Sequence, residues 1–311
     1  MEEALHEFAH TIFSIVKVIV IVLVECVKAC LPNGVLPRKS VRGDVCLVTG
    51  AGSGIGRLMA IQFAKLGCTL VLWDINTKGN EETKKLIATT GAKVKAYTVD
   101  LSKREELKAV ADKVIKELGR VDILINNAGV VTGHKLFDCP DEMIEKTMAV
   151  NCNANLFTAK CFLPGMLERR HGHIVTISSI AGKAGAAGMV DYCASKHGAV
   201  GYHEALASEL HHQCLPVKTT LVCPYFIDTG MFRGFGIKSP LLMPPLQPSY
   251  VAECVVEAVL TNRAELQLPR SMYLVSSLAR ILPTEAKHCL ADYFGTNESM
   301  ETFVGRSEKK P

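Results

Sequence analysis

The stretch Val45-Cys46-Leu47-Val48-Thr49-Gly50-Ala51-Gly52-Ser53-Gly54-Ile55-Gly56 decides the fold. Four apolar residues in a row predict a short strand buried on both faces. From Thr49 onward every second residue is glycine, and a helix-compatible run follows from Arg57 to Leu66. Strand, glycine turn and helix are the parts of a pyrophosphate site. Glycines let the backbone turn tightly and approach phosphates, and the helix N-terminus supplies N–H groups and positive potential. A glycine loop alone is weak evidence; its place between strand and helix carries the argument.

Working outward, Thr69–Asp74 reads as a second strand ending in an acid. Asp74 lies 18 residues past Gly56, where a ribose-binding carboxylate belongs. Such a group accepts from the 2′-hydroxyl of NAD and repels the 2′-phosphate of NADP. The competing reading is a turn aspartate opening the next helix. The alternation then continues. Strands are predicted at Val94–Val99, Asp122–Ile125, His173–Ser178 and Val217–Cys223. Helices are predicted at Asn80–Thr90, Lys103–Leu118, Asp141–Arg169 with a kink at Pro164, and Asp191–His212. Alternating strands and helices imply one α/β domain, a doubly wound parallel sheet covered on both faces. Ligands of such sheets sit at the carboxyl ends of the strands. The glycine loop, Asp74, Asp100, the Asn126 segment, Ser179 and Pro224 all fall at such ends.

The last of these helices opens with Tyr192-Cys193-Ala194-Ser195-Lys196. Positions i and i+4 share a helix face. A phenol titrates near pH ~10, and an ammonium one turn away lowers that value. The pair can therefore serve as a proton-transfer group. Tyr-x-x-x-Lys by itself is common and more often a solvated pair; its surroundings decide.

Composition limits the alternatives. Of 311 residues, 48% are hydrophobic and 21% charged, and the net charge is +4 without a long basic run, so nucleic acid is not expected as a partner. Twelve cysteines are scattered without a C-x-x-C pair, which reads as free thiols in a reducing compartment rather than a disulfide framework or zinc site. No metal ligand spacing is present among the histidines.

Ahead of the domain, Ile12–Val24 is nearly all aliphatic, and with its flanks is about 20 residues long, enough to span a bilayer. His10, Ser14, Lys17, Glu25 and Lys28 fall on one narrow helical stripe. That favours a helix lying in the membrane interface over a spanning helix, which would have to hide Lys17, and over a soluble core helix. Arg38, Lys39 and Arg42 follow, and positive charge there predicts a cytoplasmic domain. The expected organisation is a membrane segment over 1–31, a linker over 32–42, a catalytic domain over 43–270, and a C-terminal apolar helix and tail over 271–311.

The assembled residues closely resemble the short-chain dehydrogenase/reductase family. Thr49-Gly50-x-x-x-Gly54-x-Gly56 is similar to its cofactor loop, and Asn126-Asn127-Ala128-Gly129 to its central-strand motif. Ser179, thirteen positions before Tyr192, together with Lys196 and Asn151 resembles the catalytic tetrad. Finer similarity, such as Leu72-Trp73-Asp74-Ile75-Asn76 and Thr229-Gly230-Met231-Phe232, points to the membrane-associated branch of retinol dehydrogenases and lipid-droplet hydroxysteroid dehydrogenases. Pro224-Tyr225 departs from the Pro-Gly common in the family.

The resemblance implies a Rossmann-like fold and NAD as cofactor, held by Gly50, Ser53, Gly54, Ile55, Gly56, Asp74, Asp100, Asn127, Ala128, Gly129, Tyr192, Lys196, Pro224 and Thr229. It implies Tyr192 as base, Lys196 lowering its pKa and holding the ribose, Ser179 orienting the substrate oxygen, and Asn151 holding a relay water. Met231 and Phe232 would touch substrate, under a lid over about 231–250 that includes Leu241–Leu246. The implied reaction is oxidation of a lipophilic alcohol, foremost all-trans-retinol to retinal. The alternatives are a hydroxysteroid or other lipid alcohol, or a cofactor-bound lipid-droplet scaffold without catalysis. The implied location is the endoplasmic reticulum membrane or lipid-droplet surface, and the implied assembly a homo-oligomer.

Overall fold

The computed structural model describes residues 2–236, 238 and 244–305. The chain divides into two compact units, Met1–Arg38 and Lys39–Pro311. The first is the helix α1 (Glu2–Cys30) and a turn-rich stretch after it. Within α1, Leu5–Lys28 has a mean hydropathy of 2.2 and is long and apolar enough to cross a membrane. Its apolar side chains are exposed, among them Phe13, Val20 and Leu23. On its polar stripe Lys28 Nζ pairs with Glu25 at 2.7 Å.

The second unit is built on seven parallel strands: β1 (Val45–Thr49), β2 (Thr69–Asp74), β3 (Val94–Thr98), β4 (Ile123–Asn126), β5 (His173–Ile177), β6 (Lys218–Pro224) and β7 (Glu265–Leu268). Their order is β3-β2-β1-β4-β5-β6-β7, and every neighbouring pair is parallel. Successive side chains of a strand point to opposite faces, and both faces are covered. Cys46, Val48, Leu70 and Leu72 enter one core with Phe63 and Val255. Val45, Leu47, Val71 and Trp73 enter the other with Phe162 and Leu206. This is why β1 and β2 read as unbroken apolar runs. Each such fully buried large side chain contributes roughly 1.5–3 kcal/mol.

The helices are α2 (Gly54–Lys65), α3 (Thr77–Ala88), α4 (Arg104–Leu118), α5 (Asp141–Met148), α6 (Ala154–Glu168), α7 (Val190–His212), α8 (Pro248–Leu260), α9 (Met272–Ile281) and α10 (Thr284–Phe294). The helical stretch from Asp141 is interrupted at Ala149–Asn153, a wider π turn, and α6 then runs through Pro164. Strand β7 and helices α8 and α10 have no counterpart in the sequence reading. The half-polar Glu-Leu-Gln-Leu of β7 gives no strand signal, yet it adds a seventh strand beside β6.

Lys39 is not a free flanking charge. Its Nζ donates to His173 Nδ1 at 2.7 Å, while His173 Nε2 donates to Thr220 Oγ1 at 2.8 Å, which in turn donates to the Arg263 carbonyl. Leu246, expected in a lid, is 6% exposed and belongs to the core. It is fixed there by hydrogen bonds with Phe226 and Asp228. Leu241, Leu242 and Met243 of that expected lid, and the tail Glu308–Pro311, lie outside the described residues.

Candidate active site

The order of strands reverses between β1 and β4, and their carboxyl ends open a crevice there. Thr49 spans it: its Oγ1 accepts from the amides of Asn127 and Ala128 at 2.9 and 3.0 Å. Asn127 Nδ2 donates back to the Thr49 carbonyl at 2.8 Å. The glycine loop must be glycine where it closes. A Cβ on Gly56 would lie 2.2 Å from the Gly50 carbonyl oxygen, and Gly54 has φ +54°. The first turn of α2 contains no acid, and its N-cap Ser53 makes no side-chain capping bond, so the helix end suits an anion.

Asp74 at the end of β2 is aimed into the crevice by two amides. Oδ2 accepts from Gly52 N and Oδ1 from Asn76 N, both at 2.8 Å. Each carboxylate oxygen keeps a further lone pair for a ribose hydroxyl. A Cβ at Gly52 would sit 2.9 Å from Asp74 Oδ2, so this glycine too is required. Arg57, which the sequence reading did not single out, braces the same corner. It bonds Thr83 Oγ1 at 2.9 Å and the Gly79 carbonyl at 3.1 Å, and reaches the Gly52 carbonyl.

One cavity of about 320 Å³ runs from this corner to Tyr192. Gly50, Ser53, Gly54, Ile55, Gly56, Asp74, Asp100, Asn127, Ala128, Gly129, Ser179, Tyr192, Lys196, Pro224, Thr229, Met231 and Phe232 all line it. Asn151 does not. Its Oδ1 accepts from Val130 N, and its Nδ2 donates to the Val130 carbonyl and to Ser195 Oγ. That side chain ties the end of β4 to α7. Residues Ile75, Val99, Phe226, Phe235, Phe294, Thr296 and Ser299 also line the cavity and were missed. The last three are far along the chain, and no local pattern marks them.

At the far end the candidate reacting groups Tyr192 and Lys196 are buried. Tyr192 is hydrogen-bonded to Ser179, but burial dominates and pushes its phenol above the usual range. Burial also pulls the Lys196 ammonium down to about 8. The expected lowering of Tyr192 by Lys196 is therefore not what the geometry gives. Lys196 Nζ donates to the Ile177 carbonyl at 3.0 Å and lies over the Tyr192 ring, 5.7 Å from its centre. Ser178 and Ser179 are separated by their partners: Ser178 Oγ donates to the Lys196 carbonyl at 3.0 Å, whereas Ser179 faces the phenol while accepting from Ala181 N. Phe232 meets Tyr192 edge-on, and Phe226 stacks on Phe235 at 4.7 Å, so this end is aromatic. Among the described residues no cluster of His, Cys, Asp or Glu could hold a metal ion.

A glycine loop closing on a helix N-terminus, an acid at the end of β2 and a buried Ser–Tyr–Lys group in one crevice are the parts of a dinucleotide-dependent dehydrogenase. Comparison with known proteins agrees. The short chain dehydrogenase family matches residues 44–238. Human (Homo sapiens) epidermal retinol dehydrogenase 2 is 50% identical over 283 residues, covering 90% of this chain and 91% of its own. Rattus norvegicus retinol dehydrogenase 10 is 46% identical over 300 residues, 88% of each. Among solved structures, a short chain dehydrogenase/reductase from Burkholderia phymatum in complex with NAD superposes with TM-score 0.71 at 28% identity, over 78% of this chain and 94% of its own. A metagenomic short-chain oxidoreductase in complex with NADP gives TM-score 0.62 at 29% identity, over 74% and 96%. The chain belongs to the short-chain dehydrogenase/reductase family and is an oxidoreductase.

Proposed function

We propose that the protein oxidises a lipophilic primary alcohol with NAD, and that the alcohol is all-trans-retinol. The observation that carries this is the single cavity joining Asp74 to Ser179 and Tyr192, with an aromatic wall beyond. Relatives named epidermal retinol dehydrogenase 2 and retinol dehydrogenase 10, nearly half identical along almost the whole chain, support the substrate. Of the two solved relatives one holds NAD and the other NADP. Asp74 supports NAD here, because its carboxylate would repel a 2′-phosphate.

NAD, when bound, supplies the hydride acceptor. This chain's residues do the rest. The N–H groups at the start of α2 receive the pyrophosphate, and Asp74 receives the adenosine ribose. Ser179 orients the substrate hydroxyl toward Tyr192. Lys196, over the ring, stabilises the phenolate form of Tyr192, and that phenolate takes the hydroxyl proton and becomes the neutral phenol as hydride leaves the carbon. Asn151 acts by holding Gly129–Val130 against α7. The apolar walls exclude water from the reacting atoms.

Helix α1 holds the enzyme at the cytoplasmic face of the endoplasmic reticulum or of lipid droplets, where such an alcohol is concentrated. The test is retinal formation from retinol and NAD, followed by chromatography in membranes expressing the protein. Robust oxidation of steroid alcohols without retinal above background would transfer the reading to a hydroxysteroid substrate.

A further inference from the structure

We infer that the C-terminal segment Phe294–Gly305 is the outer wall of the substrate end of the cavity and sets selectivity for the apolar body of the alcohol. The inference rests on the reading of the cavity as a lipophilic-alcohol site. The matched family span ends at residue 238, ahead of this segment. Helix α10 ends at Phe294, and Gly295, in a left-handed conformation, turns the chain. Phe294, Thr296 and Ser299 then line the same cavity as Tyr192.

The segment is fastened to the turn that carries Phe232. Gly236 N donates to the Ser299 carbonyl at 2.8 Å, and Val304 N to the Arg233 carbonyl at 2.8 Å. Thr302 Oγ1 donates to the Gly234 carbonyl at 2.6 Å. Side chains key it in place. Phe303 packs edge-on against Phe232, ring centres 6.3 Å apart, and Phe232 meets Tyr192 in the same way at 5.6 Å. Met300 is 7% exposed and packs with Met189, Tyr192 and Cys193. Two rings thus connect the C-terminal segment to the reacting phenol.

Three separate loops leave room for it. A Cβ on Gly133 would lie 2.0 Å from the Phe303 ring, one on Gly188 2.9 Å from Met300 Cβ, and one on Gly234 2.1 Å from the Thr302 carbonyl oxygen. All three glycines have positive φ, which favours glycine in any case. The coincidence of all three with contacts to one segment is what marks a built seat. The Ser299 hydroxyl is turned to the Thr296 carbonyl at 2.6 Å, and the ring facing the cavity is Phe294. Such a wall suits hydrocarbon and offers little to a polar body. Because Phe232 stands between Phe303 and Tyr192, the wall acts on the part of the substrate remote from its hydroxyl.

The experiment compares full-length protein in membranes with Phe294→Ala and the partly volume-restoring Phe294→Leu, using retinol and a short primary alcohol such as butanol. Phe294→Ala should raise KM for retinol about tenfold, as loss of large apolar contacts does. Its kcat, and KM for butanol, should change less than about twofold, and Phe294→Leu should recover most of the loss. Equal losses for both alcohols, or an unchanged retinol KM, overturn the inference. Hydrogen exchange separates its failure from that of the proposed reaction. The Gly236 and Val304 amides should gain protection when retinol is added with NAD, even if no alcohol is oxidised; absence of that protection counts against the wall.

Discussion

Asp74 Oδ2 accepts a hydrogen bond from the Gly52 amide at 2.8 Å, so the glycine loop itself orients the acid at the end of β2. The carboxylate is held at the crevice before any ligand arrives, and Arg57 braces the loop from the other side through Gly79 and Thr83. Preorganisation of this kind makes the acid selective, because it cannot swing away from a 2′-phosphate at low cost.

The unmodified enzyme should therefore prefer NAD over NADP in kcat/KM. Asp74→Ala removes both a charged hydrogen bond and a repulsion, so efficiency with NAD should fall about tenfold or more while the gap to NADP narrows. Initial rates with both dinucleotides check this. Equal or better efficiency of the unmodified enzyme with NADP would sink it.

Tyr192→Phe keeps the ring that packs against Phe232 and deletes the proton acceptor. Turnover should fall by ~10²-fold or more, while NADH binding, read by fluorescence titration, should be largely kept. Lys196→Ala should damage both. Burial holds the phenol above its ordinary range, so its basic form is scarce near neutrality and oxidation should climb with pH. The climb should level off near the Lys196 value of about 8, where the supporting charge is lost. Near-normal turnover by the Phe variant would remove Tyr192 from its role.

Much of this site was legible in the sequence because its parts are local. The alternation of Gly50, Gly52, Gly54 and Gly56, the acid closing β2, and the one-turn spacing of Tyr192 and Lys196 are short-range patterns that survive without coordinates. What remained hidden depends on burial or on long-range partners. Spacing brings Lys196 to the face of Tyr192 but says nothing of desolvation, which raises the phenol and lowers the amine. Ser178 and Ser179 look alike until Ser178 is seen bonded to the Lys196 carbonyl. Leu246 is an apolar residue in a proline-rich run, and only its bonds with Phe226 and Asp228 show that it belongs to the core. Phe294 reaches the site across a sequence gap that no helical or strand period could bridge.

Acid should destabilise the domain through its buried histidines. His203 is 3% exposed, and burial holds its pKa down to about 4; His173, packed beside Lys39, is lowered still more strongly, again by burial first. The unfolded chain binds protons near pH ~6.5 that the folded chain refuses, so stability is complete above that value and is lost as pH falls toward 4. Each unit of separation corresponds to about 1.4 kcal/mol, giving a loss of about 2 kcal/mol for each of the two histidines between pH 7 and 5. His203→Asn should flatten this fall in thermal denaturation midpoint. A midpoint equally steep in the variant would place the proton uptake elsewhere.

Helix α1 should anchor the protein to a membrane. Its stretch Leu5–Lys28 carries the hydropathy of a membrane segment, and Val20 and Leu23 expose their side chains. Exposed apolar surface on this scale is unfavourable in water, and a lipid phase removes the cost. Polar residues do not surround the helix. Glu25 and Lys28 pair on one side, and Ser14 turns its hydroxyl back to the His10 carbonyl, which leaves the rest of the circumference apolar. Residues 1–31 should therefore carry a fluorescent reporter to the endoplasmic reticulum or to lipid droplets. Val20→Asp with Leu23→Asp should release it, because a charge at depth costs about 2.5–3.5 kcal/mol even on the lower scales. Fractionation of the reporter between membrane pellet and supernatant measures the outcome. A reporter that remains in the supernatant with the unmodified segment would refute the anchor, and one that stays in the pellet despite both aspartates would show that the apolar face is not what holds it.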